Sequence, residues 1–168
     1  MNNYKIEPLS KHHNRKDFDC GEEALNQYLL AVASQHAKKS VSRTFVLIEV
    51  DRPEKILGFV TLTACEIRAE FLPDPYPKKF PSKVSGAKIG RLAIDKAHQQ
   101  KGFGSQLMVF AMSQALIVHG SIGLVGMMVD AKNDEAKAYY RHYGFIPLPD
   151  NSLTLFLPIK TIQEAVED

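Results

Sequence analysis

Apolar positions along the chain follow two periods, and the changes between them mark out the elements. Tyr4 to Leu9 alternates as a short strand does. From Glu22 to Lys39 the period becomes helical: Leu25, Tyr28, Leu29 and Val32 form one apolar stripe, behind an acidic first turn that suits the helix dipole. Residues 42–51 and 55–67 are rich in β-branched and aromatic side chains on either side of Arg52-Pro53-Glu54, which predicts an antiparallel hairpin. Residues 68–87 carry Pro73, Pro75, Pro77 and Pro81, and a connection of that length is expected to be a lid or a partner-binding segment.

The pattern then turns to strand, loop and helix. AKIGRLAID, 87–95, reads as a strand that breaks at 98–104 before a helix from about 103 to 118, with Leu107, Met108, Phe110, Ala111, Ala115 and Leu116 as its core stripe. GLVGMMVDA, 123–131, is an apolar run of the kind found in a strand covered on both faces. A short helix over 133–142 is closed by Gly144 in a left-handed cap; a strand at 152–157 and a helix at 161–166 follow. The order β, α, hairpin, then β-α-β-α-β predicts an α/β fold with a central mixed sheet flanked by helices on both sides, as one domain over 1–168.

Composition narrows the function classes. A 168-residue chain with 45% apolar and 24% charged residues is ordinary for a globular domain. The polar start lacks a signal peptide's apolar stretch, and no window holds the ~18 apolar residues of a membrane span, so a cytoplasmic protein with no membrane partner is expected. Cys20 and Cys65 have neither CxxC spacing nor a nearby His cluster, so neither a disulfide nor a metal site is expected. A net charge of +2 says little, but basic clusters stand at positions 12–16, at His36-Ala37-Lys38-Lys39 with Arg43, and at Lys78-Lys79 with Lys83. They read either as solvated surface or as a nucleic-acid footprint.

Chemistry concentrates in RLAIDKAHQQKGFGS, 91–105. Polyphosphates need converging backbone N–H groups, and a glycine-bearing loop entering a helix N-terminus supplies them. Gln99-x-x-Gly102-x-Gly104, with Lys101 adding charge, has that form, although two glycines at such a junction also serve as a plain turn. Neither GxGxxG nor GxxxxGK[ST] is present, which argues against NAD or ATP. Further on, Asn133 and Tyr140 stand two helical turns apart on one face; packing is the competing reading for Tyr139, Tyr140 and Tyr143.

The glycine loop resembles motif A of the GCN5-related N-acetyltransferases, [Arg/Gln]-x-x-Gly-x-[Gly/Ala], and Asn-x-x-Ala-x-x-x-Tyr followed by Gly-Phe resembles their motif B. The resemblance implies acetyl-coenzyme A as co-substrate and no metal. It implies that the backbone of Leu92, Ala93 and Ile94 pairs with the pantetheine arm, and that Gln99, Gln100, Lys101, Gly102, Phe103, Gly104 and Ser105 form the pyrophosphate loop. Asn133 would hydrogen-bond the pantetheine amides, and Tyr140 would protonate the leaving thiolate. Tyr139 stands where the family more often has Phe. No base announces itself: Glu66, Glu70, His98 and His142 are candidates, and an α-amine titrating near ~8 needs little help.

FDCGEEALN at 18–26, GRLAID at 90–95, AKAYY at 136–140 and LFLP at 155–158 are similar to one subgroup, the acetyltransferase toxins of bacterial toxin-antitoxin pairs. This implies acetylation of the α-amine on aminoacyl-tRNA, a block of translation, a ribbon-helix-helix antitoxin as partner, and a possible homodimer. Lys38, Lys39, Arg43 and Arg91 would then meet the tRNA. Gln100 departs from the subgroup, which often has glycine there; only its backbone amide is needed. The alternatives are an acetyltransferase of small amines or protein N-termini, and a non-catalytic binding module.

Overall fold

In β2 (Arg43–Glu49), Val46, Leu47 and Ile48 are all buried, so this strand is covered on both faces. It belongs to a computed structural model that describes residues 3–167. β1 (Tyr4–Pro8) precedes a helical stretch made of α1 (Glu23–Gln27), a π-helical turn (Tyr28–Val32) and α2 (Ala33–Lys38). Then come β2, β3 (Gly58–Arg68), a 3-10 turn at Ala69–Phe71, the short α3 (Tyr76–Lys79) and β4 (Lys83–Ile94). A second 3-10 turn at Lys96–His98 leads to α4 (Phe103–His119), followed by β5 (Gly126–Asp130), α5 (Asp134–His142), β6 (Ile146–Pro147), β7 (Thr154–Pro158) and α6 (Ile159–Glu167).

The expected mixed sheet is present, with seven strands in the order β1-β2-β3-β4-β5-β7-β6. β4 and β5 pair in parallel over Ala87 to Ile89; β1 with β2, β2 with β3, β5 with β7 and β6 with β7 are antiparallel. The fold separates into two compact units, one of residues 1–63 and 90–111, the other of 64–89 and 112–168.

In the first unit the alternation of β2 assigns its helices to opposite faces. Val46 and Ile48 pack with Phe18, Tyr28, Leu29 and Ala33; of the stripe predicted for the first helix, Tyr28 and Leu29 are buried here, while Leu25 and Val32 pack against the cluster partly buried. Phe45, on the other face, meets Phe110 of α4 with ring centroids 4.8 Å apart. Gly58 keeps this second face open, since a Cβ there would come within 3.1 Å of the Leu107 side chain. The first helix is not the uniform α-helix that the periodicity predicts: the Ala33 amide reaches back five residues to Tyr28, which widens that turn.

In the second unit Ile67, Leu72, Met128, Leu148 and Phe156 form the core. The proline-bearing connection is shorter than expected, because β4 begins at Lys83, and it is docked rather than loose. Leu72 is buried in that core, and Tyr76 stacks on Phe80 and meets Phe156 edge-on at 5.4 Å. The last strand starts at Thr154 instead of 152, and the terminal helix starts two residues earlier than predicted. β6 has no counterpart in the pattern of hydrophobic positions.

Candidate active site

In the first unit, β4 runs through Leu92, Ala93 and Ile94 and delivers Asp95 to the start of a tight turn. Asp95 caps this turn: its Oδ1 accepts from the Ala97 amide at 3.0 Å. The loop then needs two left-handed residues, Gln100 at φ 64° and Gly102 at φ 84°. Glycine meets this requirement freely and glutamine at a cost. A Cβ built on Gly102 has no atom within 4 Å, so open space lies on that side of the loop.

α4 begins immediately afterwards, and its first bond of α-helical reach runs from the Gln106 amide to Gly102 O at 3.2 Å. The amides of Phe103 and Gly104 precede it, so the helix supplies them no acceptor. Such amides at the positive end of a helix dipole suit a pyrophosphate, and Lys101 lies exposed on the same turn. The predicted loop residues are thus brought together. The Gln99 side chain has another task, donating to Ile94 O at 3.0 Å and Cys20 O at 3.2 Å, which ties the loop down.

The basic residues divide by role. His13 is not part of a surface cluster, being 3% exposed. Arg43 donates to Ala37 O at 2.7 Å and closes the C-terminal end of α2, while Lys38 and Lys39 are exposed. Arg91 lies over the ring of the buried Tyr28 and donates to Gly90 O.

Asn133 and Tyr140 fall in the second unit. Asn133 caps α5, its Oδ1 accepting from the Ala136 amide at 2.9 Å, which leaves its NH2 group for a ligand. Gly144, at φ 101°, ends the helix in the predicted left-handed cap. The three tyrosines pack edge to face: Tyr139 against Tyr140 at 5.4 Å and against Tyr143 at 5.3 Å. They differ chemically. Burial first, then a hydrogen bond to Tyr143, push the Tyr139 phenol far up, whereas burial alone raises Tyr140. Tyr140 packs on Phe145 and keeps its proton at neutral pH, as an acid must.

The base candidates remain unremarkable. Glu66 and Glu70 are exposed, and Glu70 lies 3.9 Å from Arg68. His98 is pushed down by burial, then by the charges of Lys55 and Lys101, which favours its neutral form. One group resembles a metal site: the ligand atoms of Glu7, His12 and His13 lie within 4.8 Å of one another. Its hydrogen bonds oppose metal binding. The Ser10 amide donates to Nδ1 of His13 at 3.0 Å, so in the neutral ring Nε2 carries the proton and donates to Glu7 at 3.0 Å. That nitrogen has no lone pair for an ion.

Residues 41–147 match the family model described as "Acetyltransferase (GNAT) domain". A tRNA-acetylating toxin of Mycobacterium tuberculosis is 31% identical over 151 residues, covering 90% of this chain and 89% of the relative. The structure of AtaT complexed with acetyl-methionyl-tRNAfMet superposes with a TM-score of 0.90 at 32% identity, covering 97% of this chain and 99% of that one. A tyrosine-to-phenylalanine variant of AtaT bound to the C-terminus of the antitoxin AtaR and acetyl-CoA superposes with a TM-score of 0.84 at 29% identity, covering 99% of both chains. With the family model spanning most of the chain, and a relative and solved structures aligned over nearly its full length, this protein belongs to the GNAT acetyltransferases.

Proposed function

We propose that this acetyltransferase acetylates the α-amine of the amino acid on aminoacyl-tRNA and thereby blocks translation. The observation that carries the reading is the full-length likeness to AtaT, whose structure holds acetyl-methionyl-tRNA. The open loop from Gln99 to Ser105 and the start of α4 take the pyrophosphate of acetyl-coenzyme A. The backbone of Leu92, Ala93 and Ile94 takes the pantetheine arm; the β4–β5 register ends at Ile89 while β4 continues to Ile94.

The neutral amine attacks the thioester carbonyl, the C–S bond breaks, and the Tyr140 phenol gives its proton to the departing sulfur. The proton lost by the amine returns to solvent and re-forms the phenol. Asn133 offers its NH2 to the pantetheine. Lys38, Lys39 and Arg91 attract the acceptor end of the tRNA, with Arg43 helping chiefly by holding α2. The whole of 1–168 acts as one catalytic domain in the cytoplasm. An antitoxin of ribbon-helix-helix type, as well as a second copy of the chain, are its expected partners.

Purified protein, labelled acetyl-coenzyme A and a panel of charged tRNAs test the reading. Label on the α-amine of at least one aminoacyl-tRNA is expected; none on any would sink it. Replacing Lys38, Lys39 and Arg43 together should suppress tRNA acetylation and spare a small amine.

A further inference from the structure

The phrase Phe18-Asp19-Cys20-Gly21 is prominent in the sequence, yet none of its side chains has a part in the chemistry above. Its contacts run to the turn that carries the glycine loop. The Lys96 amide donates to Asp19 O at 2.8 Å, and the Asp19 amide donates to Oδ2 of the buried Asp95 at 3.2 Å. The Asp19 carboxylate accepts from the Gly21 amide at 2.9 Å and from Asn26 Nδ2 at 3.0 Å, and it pairs with Lys96 Nζ at 3.0 Å. Cys20 completes the joint: its amide donates to Asn26 Oδ1 at 2.9 Å, and its carbonyl receives Gln99.

Two segments 76 residues apart are therefore fastened at both ends of the tight turn, at Asp95–Lys96 and at Gln99. The residues after Gln99 are the left-handed Gln100 and Gly102, whose backbone directions determine where the loop amides point. A loop that must aim several amides at one anion gains from being held before the anion arrives.

We propose that Asp19 is a positioning residue for acetyl-coenzyme A: it fastens the Phe18–Gly21 segment to the Asp95–Gln99 turn and so aims the pyrophosphate loop. This rests on the reading that the loop holds the pyrophosphate.

The test is direct binding of coenzyme A by calorimetry, with melting temperature measured in parallel, on wild-type, Asp19→Asn, Asp19→Ala and Lys96→Met proteins. Asp19→Ala should weaken binding roughly tenfold, a loss in the range expected when a positioned group is loosened. Asp19→Asn, which keeps an acceptor for Gly21, and Lys96→Met should fall between it and wild type. In turnover, KM for acetyl-coenzyme A should rise while KM for the acceptor stays unchanged. Unaltered coenzyme A affinity in Asp19→Asn and Lys96→Met overturns the proposal, whether or not the melting temperature drops; if Asp19→Ala does not fold, these two decide. Failure of wild type itself to bind coenzyme A would overturn the pyrophosphate reading instead, so the two failures are distinct.

Discussion

The guanidinium carbon of Arg91 stands 4.6 Å from the centroid of the Tyr28 ring. The ring is 7% exposed and rests on Phe59, so it makes a fixed floor beneath an exposed cation. A guanidinium held this way loses less freedom when it meets a phosphate. Arg91→Ala should raise KM for charged tRNA and reduce the slope of log affinity against log salt by about one, as expected for one phosphate contact. Tyr28→Leu should weaken tRNA binding by a smaller factor, roughly two- to fivefold, by freeing the arginine. Filter binding across a salt series distinguishes these outcomes, and acetyl-coenzyme A affinity should be unchanged in both.

Tyr140 and Tyr139 are neighbours with different duties. Tyr140→Phe should lower kcat by about a hundredfold or more while acetyl-coenzyme A still binds. Tyr139→Phe, which removes a hydroxyl engaged with Tyr143, should leave kcat nearly intact. Because burial raises the Tyr140 pKa above its ordinary 10.0, its ionisation should impose no alkaline loss of rate below pH 10. Steady-state rates from pH 6 to 10 would check this.

Gln100 holds a backbone conformation that glycine adopts without strain. Gln100→Gly should stabilise the fold by up to about 1 kcal/mol, the relief of a left-handed residue less the added freedom of the unfolded chain. Its amide remains, so coenzyme A binding should persist. Denaturant unfolding with and without coenzyme A reads both quantities.

Asp19 carries a pH signature. Its pKa is lowered from 3.8 to about 2, first by the Gly21 amide, then by Lys96 and Asn26. A carboxyl whose folded pKa is depressed contributes stability above its unfolded pKa and loses it as pH falls through the folded value. Wild type and Asp19→Ala should therefore differ by a constant melting temperature between pH 5 and 7 and converge from about pH 4 down to 2. A constant difference throughout would show that the carboxylate charge is irrelevant.

Some of this is legible in the sequence alone. α4 is predicted within a residue at each end because Gly102 stands immediately before its start and its stripe persists for several turns. Gly144 announced its cap by type. β6 escaped because Ile146 and Pro147 are too few to show a period. The start of β4 was hidden by Ser85 and Gly86, which dilute the alternation. At the site, glycine spacing located the loop and the Asn133–Tyr140 interval located the helix. The joint between Asp19 and Asp95 leaves no comparable trace, since it depends on segments distant in sequence.

The π-helical turn at Tyr28–Val32 takes one residue more than an α-helix would for the same turn. The first helix thus carries slack in its length. Removal of the exposed Ala31 would let the stretch close as ordinary α-helix, with Ala33 still facing the core and Tyr28 still beneath Arg91. A single deletion within α4, which has no surplus, would instead turn every later side chain by about 100° around the axis. The helix beneath Arg91 can vary in length where the helix that opens the phosphate loop cannot.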